Sequence, residues 1–313
     1  MPPAILGLHH VTATVDDAQA DLDFCIELLG LRLVKKTVNF DNHNVYHFYY
    51  GTERGAPGTI WTTFPYKGYG VRVGSKGAGQ VVATSFSVPA FSMAFWRDRL
   101  KTAKVAITEL EPRFGEEVIR FDDPSGLLFE LIGTKRDARE PWTGSVGASE
   151  AIRGIHSVSM LVKSAGSTIA FMSTALGYRI VEKAGKRTRM AAGADTPGHF
   201  IDVVEDFSAQ PGINGLGTVH HVAMAIGTGE EQIKIREELL AKGVGITDIR
   251  DRTYFTSIYF REPGGVLFEI ATMKPGFTFD EDASSLGREL RLPPWEEQHR
   301  ASIEANLVPV KYR

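Results

Sequence analysis

The chain has 313 residues, 43% of them hydrophobic, which allows a large core and predicts about two domains. A formal net charge of −3 excludes a strongly basic surface for nucleic acid or acidic lipid. The single cysteine, Cys25, excludes a disulfide within the chain and favours a reducing cytoplasm, where we expect the protein. The sequence shows no signal-peptide pattern and no membrane-spanning apolar run, so we expect neither.

The sequence repeats one pattern four times, and each copy predicts a strand, a helix and three more strands. In the first copy, the strand Leu8–Val15 precedes a helix that ends at Gly30, and candidate strands follow near residues 31–38, 45–50 and 59–64. The later copies begin at Val81, Gly154 and Val219. Their helices are predicted near residues 91–102, 167–176 and 230–242.

A polar, aperiodic stretch separates the second copy from the third and predicts a linker at residues 136–153. Modules one and two would then form an N-terminal domain, residues 1–135. Modules three and four would form a C-terminal domain, residues 154–273. The repeat then stops, and residues 274–313 predict a surface strap with a short helix near residues 295–306.

Two histidine doublets occupy matching positions in the repeats. His9 and His10 lie in the first strand of module one, and His220 and His221 lie in the first strand of module four. Glu269 lies in the last strand of module four, inside an apolar run. Two histidines and one carboxylate on separate strands form an open divalent-metal site, which leaves part of the coordination sphere free. Neighbouring strand residues point to opposite faces, so only one histidine of each doublet faces a shared cavity unless a bulge intervenes.

Alignment of the repeats selects one member of each doublet. Module three keeps a histidine, His156, at the position of His9, but has Ser157 at the position of His10. Module three lacks the full ligand set, yet it keeps the first histidine of the doublet. We therefore predict that the second histidine of each doublet, rather than the first, binds the metal. The predicted ligands are His10, His221 and Glu269.

A carboxylate on the inward face of an apolar strand is costly to bury unless it is paired or bound to metal. Glu130, the counterpart of Glu269 in module two, must therefore be solvated or paired with another group. We predict surface or structural roles for the histidines without a counterpart in the repeats: His43, His47, His199 and His299.

These motifs resemble those of the vicinal oxygen chelate superfamily, and within it ring-cleaving dioxygenases of the (chloro)hydroquinone 1,2-dioxygenase type. The resemblance covers nearly the whole chain and is carried by residues 7–12, 217–222 and 260–269. It implies an α+β fold of four βαβββ modules paired into two half-open β-barrels. Modules one and four would surround the metal, while modules two and three would form a metal-free barrel.

The resemblance also implies that the three predicted ligands bind iron, and that five further residues line the pocket: His9, Thr12, His220, Arg252 and Tyr259. His9 and His220 are candidates for acid–base catalysis, and Tyr259 for a hydrogen bond to a bound phenolate. Arg252 could stabilise anionic intermediates. Arg252 and Tyr259 are an odd number of residues apart, so one uninterrupted strand would not place both in the pocket, and we expect Arg252 in the turn before the strand. Thr12 either lines the pocket or fills space.

We therefore expect an Fe(II)-dependent, extradiol-type dioxygenase that cleaves a hydroquinone or a related aromatic diol with O2. The same ligands also accept Mn(II). We expect a small aromatic substrate and O2 as partners, with no nucleic acid and no membrane. The free strand edges of half-open barrels also allow a homo-oligomer.

Three alternatives remain open. A glyoxalase-like isomerase would use Zn or Ni with four protein ligands, whereas three are apparent here. A non-catalytic protein of the bleomycin-resistance type would bind an aromatic compound without any metal triad. An epimerase would need a second carboxylate base.

Overall fold

The computed structural model describes residues 4–312, and within them the four predicted βαβββ modules are present. Module one consists of β1 (Gly7–Val15), α1 (Ala18–Leu22), β2 (Arg32–Asn39), β3 (Asn42–Gly51) and β4 (Ile60–Pro65). Helix α1 continues as a π-helical segment, Asp23–Leu28. Module two consists of β5 (Gln80–Pro89), α2 (Met93–Thr102), β6 (Ile107–Arg113), β7 (Glu116–Asp122) and β8 (Leu128–Thr134).

The second half of the chain repeats this order and ends in a tail. Module three consists of β9 (Gly154–Val162), α3 (Ala165–Leu176), β10 (Arg179–Ala184), β11 (Arg187–Ala191) and β12 (Phe200–Glu205). Module four consists of β13 (Thr218–Ile226), α4 (Gly229–Ala241), β14 (Arg250–Asp251), β15 (Thr256–Arg261) and β16 (Leu267–Thr272). The tail contains two 3₁₀ turns, Phe277–Phe279 and Glu297–His299, and the helix α5 (Arg300–Asn306).

The strands form two eight-stranded sheets, and each sheet takes one module from each half of the chain. The first has the order β14-β15-β16-β13-β1-β4-β3-β2, and the second has the order β10-β11-β12-β9-β5-β8-β7-β6. The antiparallel pair β1–β13 therefore joins module one to module four, and β5–β9 joins module two to module three. This is the pairing that the resemblance implied.

The helices pack on the sheets through apolar side chains and specific caps. Helix α4 begins with a capping box in which Thr228 and Glu231 bind each other's backbone N–H groups. Ile235 and Leu239 on this helix are buried. Helix α3 ends at Gly177, whose φ of 72° suits a residue without a Cβ atom. No helix among residues 4–312 is long and apolar enough to cross a membrane.

The tail is fastened to the edge of the first sheet by one buried ammonium group. Lys35 on β2 is completely buried, and its Nζ atom lies 2.6 Å from Asp280 and also contacts Glu281. The ring of Tyr254 lies 4.8 Å below the same nitrogen. Because Glu281 is itself buried, the pair compensates two charges that would otherwise be costly.

The K35M variant tests this attachment. We expect it to lower the free energy of unfolding by about 3–5 kcal/mol, because it removes the closer cation from the buried Glu281 carboxylate and leaves only Arg291, at 3.7 Å. Chemical denaturation measures the change. The neighbouring variant K36M is the matched control and should change stability by less than about 1 kcal/mol, since Lys36 forms no ion pair within residues 4–312. Equal losses in both variants would contradict the proposed attachment.

A buried carboxyl group holds helix α1 against the first sheet. Asp21 accepts hydrogen bonds from the Tyr50 hydroxyl at 2.7 Å and from the Thr63 hydroxyl at 2.5 Å. Cys25 Sγ lies 3.8 Å from the same carboxyl group. Burial raises the pKa of Asp21 to about 6, although these hydrogen bonds act in the opposite direction.

This shift predicts a pH-dependent stability. Between about pH 4 and pH 6 the folded state keeps a proton on Asp21 that the unfolded chain releases, so the contribution of Asp21 to stability falls as pH rises. The D21N variant carries no such proton. We expect the stability of D21N relative to the original protein to increase by up to about 3 kcal/mol across this range. A difference that does not vary with pH in urea denaturation would refute the assignment.

Candidate metal centre

A β-bulge lies in the first histidine doublet. Where β1 pairs with β13, Leu8 and His10 are opposite the consecutive residues Met224 and Ala223, so that His9 has no partner. Such a bulge changes the direction of side chains and is common beside functional sites. His9 and His10 are therefore freed from the strict alternation expected of an uninterrupted strand.

The same irregularity occurs at the equivalent position of every module. On β13, His220 is skipped between His221 and Val219. On the second sheet the bulges skip Val82 on β5 and His156 on β9. The bulge thus belongs to the repeated module, whereas the histidines predicted as ligands occur only in modules one and four.

The structure brings together the three side chains predicted as metal ligands. His10 Nε2 lies 3.2 Å from His221 Nε2 and 3.3 Å from Glu269 Oε2. His221 Nε2 lies 2.8 Å from the same carboxylate oxygen. An octahedral cation with bonds of about 2.1 Å has ligands about 3 Å apart on each face. The triangle of donor atoms therefore has the size of one such face.

The surroundings of Glu269 support a cation at this point. Its carboxylate is completely buried, and Ser257 donates a hydrogen bond to Oε1. Oε2 accepts no well-aligned hydrogen bond within residues 4–312, although His221 Nε2 and His10 Nε2 lie 2.8 and 3.3 Å from it. Burial opposes ionisation, yet the two imidazoles, His10 and His221, hold the pKa of Glu269 well below its usual range. An ionised oxygen with an open lone pair is what a metal requires.

The first member of each doublet orients the second. His9 Nδ1 lies 2.9 Å from His10 Nδ1, and His220 Nδ1 lies 2.8 Å from His221 Nδ1. These contacts direct the Nε2 atom of each second histidine toward the common point, as outer hydrogen bonds do for metal-bound imidazoles. Burial lowers the pKa of His9 to about 3, so this imidazole is neutral. Burial likewise lowers the pKa of His221.

A cavity of about 380 Å³ opens onto the donor triangle. Four of the five predicted pocket residues line it: Thr12, His220, Arg252 and Tyr259. The fifth, His9, is buried behind its neighbour, with its ring 4.9 Å from the ring of Phe255.

Arg252 and Tyr259 act as one group in this cavity. Arg252 follows β14 directly and lies in the turn before β15, as the odd spacing of the two residues had indicated. Its Nε atom donates a hydrogen bond of 3.1 Å to the Tyr259 hydroxyl, and its guanidinium lies 5.3 Å from the tyrosine ring. Burial raises the pKa of Tyr259, which keeps the hydroxyl protonated. Asp41 lies 3.4 Å from the other end of the guanidinium.

One wall residue was not predicted for the site. His47 on β3 lines the cavity between the rings of Tyr49 and Phe64, at centroid distances of 4.0 and 4.2 Å. Its Nε2 atom lies 2.9 Å from the Thr62 hydroxyl, which lies 2.8 Å from the hydroxyl of Thr12. The prediction of a surface or structural role for His47 did not anticipate this position, because His47 has no counterpart in the repeats.

Several other residues of the cavity also escaped prediction. Phe64 and Phe255 are wall residues, whereas Trp61 and Tyr254, equally aromatic and nearby in sequence, are buried elsewhere. Aromatic residues alone therefore did not distinguish wall from core. The remaining unpredicted lining residues are Thr14, Asn39, Phe40, Asp41, Tyr49, Tyr66, Thr247, Arg250 and Leu267.

In the second barrel, guanidinium groups compensate the equivalent carboxylate. Arg113 contacts both oxygens of Glu130 at 2.6 and 2.9 Å, and Arg120 adds a contact of 2.8 Å. Ser85 donates a further hydrogen bond of 2.7 Å. Although burial opposes ionisation, these partners lower the pKa of Glu130 to about 2. Glu130 is thus paired, one of the two outcomes that the repeats left open.

Comparison with known proteins identifies the family. The model of the Glyoxalase/Bleomycin resistance protein/Dioxygenase superfamily matches residues 7–131 and 154–270. MhqO of Bacillus subtilis (strain 168), a ring-cleaving dioxygenase by name, is 42% identical over 100% of this chain and 99% of its own. A chlorohydroquinone/hydroquinone 1,2-dioxygenase of Sphingobium indicum is 37% identical, over 94% of this chain and 93% of its own.

Solved structures show the same architecture. A Bacillus subtilis protein described as a dioxygenase superposes with a TM-score of 0.94 at 41% identity, over 99% of both chains. Glyoxalase I from Zea mays superposes with a TM-score of 0.61 at 16% identity, over 85% of this chain and 92% of its own, which shows a shared fold alone. The paired half-barrels are the vicinal oxygen chelate fold, and the chain belongs to the Glyoxalase/Bleomycin resistance protein/Dioxygenase superfamily.

Proposed function

We propose that the protein is a ring-cleaving dioxygenase that opens a hydroquinone or a related substituted aromatic diol with O2 in an extradiol-type reaction. The observation that carries the proposal is the buried donor triangle at the floor of an aromatic-walled cavity. Relatives of nearly full length that are named as ring-cleaving and hydroquinone dioxygenases support the substrate class.

His10, His221 and Glu269 would hold the metal, which we propose to be Fe(II), with Mn(II) as a cation that the same donors accept. When bound, the metal would acidify a coordinated phenol and supply the redox chemistry that oxygen insertion needs. Within residues 4–312, no fourth His, Cys, Asp or Glu belongs to the donor group. This favours an open site over the four-ligand site of a glyoxalase-like isomerase.

The cavity would orient a flat substrate. The rings of Phe64, His47 and Phe255 form its apolar wall, and the donor triangle and the Arg252–Tyr259 pair supply its polar groups. A ring held between such walls can direct a hydroxyl group toward the donor triangle while water is excluded from the buried carboxylate.

Two groups are placed to manage charge and protons. Tyr259 accepts a hydrogen bond from Arg252, so its own proton remains available for an oxygen of the substrate. His220 is exposed at the cavity, and its Nδ1 atom is occupied by His221. Its Nε2 atom is therefore the position at which a proton would be taken up or released. His9, buried and neutral, would act on the orientation of His10.

Metal binding tests the assignment of the ligands. Alanine substitution of His10, His221 or Glu269 should abolish Fe(II) binding at micromolar metal, because each removes one of three donors. The H9A and H220A variants should bind about 10–100-fold more weakly, since they remove only an orienting contact. Anaerobic titration calorimetry measures the affinities, with H43A, at a partly exposed histidine, as the control. Unchanged affinity in H10A or H221A would contradict the assignment.

Oxygen consumption tests the reaction. After anaerobic loading with Fe(II), we expect uptake of one O2 per diol with hydroquinone, chlorohydroquinone or methylhydroquinone, together with a yellow-absorbing ring-cleavage product. The Zn(II)-loaded protein and the H221A variant should show no uptake. Catechols are included to define the preferred diol.

Absence of uptake with every diol, combined with turnover of a glutathione hemithioacetal by the Zn(II) or Ni(II) form, would replace the dioxygenase with an isomerase. Absence of both oxygen uptake and hemithioacetal turnover would favour a non-catalytic aromatic-binding protein.

A further inference from the structure

A second cavity, of about 620 Å³, lies between β2, the linker and the tail. It shares no lining residue with the catalytic cavity. Among the described residues that line it, none is a carboxylate and four are cationic: Arg32, Lys36, Arg288 and Lys311. None of these four forms an ion pair among the described residues, whereas surface arginines such as Arg97, Arg179, Arg236 and Arg300 do.

The two adjacent lysines of β2, Lys35 and Lys36, differ in whether a carboxylate lies beside them. Lys35 points to one face and is compensated by Asp280 and Glu281. Lys36 points to the opposite face, into the second cavity, and is half-buried, with no carboxylate of residues 4–312 at ion-pair distance. Burial lowers the pKa of Lys36, although the charges of Glu281 and Glu289 act in the opposite direction. A partly desolvated ammonium group without a counter-ion is costly, and a bound anion would offset that cost.

Two aromatic rings complete the cavity and fix its cations. The Arg32 guanidinium lies 4.6 Å from the ring of Trp142, and its Nη atoms donate to the backbone carbonyls of Glu53 and Ala283. Lys36 Nζ lies 5.0 Å from the ring of Tyr312. The positive charge is therefore held in place before any ligand arrives, and flat apolar surface lies beside it.

We propose that this cavity binds a small organic anion that carries a carboxylate or phosphate group on a planar apolar body. Lys36 and Arg32 face the anionic group from the inside, and Arg288 and Lys311 face it from the exposed mouth. Trp142 and Tyr312 contact the planar part. The site is separate from the catalytic cavity and does not depend on the bound metal.

Isothermal titration calorimetry on the metal-free protein tests the proposal with benzoate, phenyl phosphate, inorganic phosphate and, as a cationic control, benzyltrimethylammonium. We expect one site for benzoate or phenyl phosphate, weaker binding of inorganic phosphate, and none of the cation. Benzoate and phenyl phosphate separate a carboxylate ligand from a phosphate ligand.

Substitutions locate the site. The double variant K36M/R288M should weaken binding by about tenfold or more, since it removes two charged contacts. K36R keeps the charge and should bind nearly as the original protein does. R252M, which removes a cation from the catalytic cavity, should leave the affinity unchanged. Should the double variant not fold by circular dichroism, K36M alone gives the same comparison.

Three results would overturn the proposal: no binding of either aromatic anion at millimolar concentration, equal binding to K36M and K36R, or loss of binding in R252M. The last result would place the anion in the catalytic cavity.

Discussion

The molecule depends on the burial of one ionised carboxylate. Glu269 is completely enclosed, and one of its oxygens receives no well-aligned hydrogen bond from residues 4–312. Such a group destabilises a protein unless a positive charge is supplied. Two imidazoles from a strand pair that joins the first module to the last converge on that oxygen. The compensation of this charge thus requires side chains from module one and module four to meet at one point.

The repeated pattern was sufficient to predict the modules, because a strand–helix–strand–strand–strand order leaves a strong periodic signal in apolar residues. The repeats also led us to predict one histidine of each doublet as the ligand. Module three, which lacks the site, keeps a histidine at the first position of the doublet and has lost the second. The bulges at His9 and His220 were not predictable, because an extra residue on one strand becomes visible only when its partner strand is known.

The cavity walls were harder to predict for a different reason. His47 and Asp41 come from strands and turns that approach the site only after the sheet has curved, and nothing in their local sequence distinguishes them from surface residues. The same holds for the tail, whose attachment through Lys35 depends on carboxylates nearly 250 residues away. Contacts at such separation are set by topology rather than by local pattern.

The two barrels differ in how the charge of their buried glutamate is compensated. Arg113 and Arg120 are covalent parts of the chain, so the charge of Glu130 is balanced as soon as the second barrel folds. Under the proposed function, the charge of Glu269 would be balanced fully only by a cation taken up from solution. The second barrel would then be complete on folding, whereas the first would be completed by its metal. A barrel that needs no metal, joined to one that does, would hold the three donor side chains in position before the metal binds.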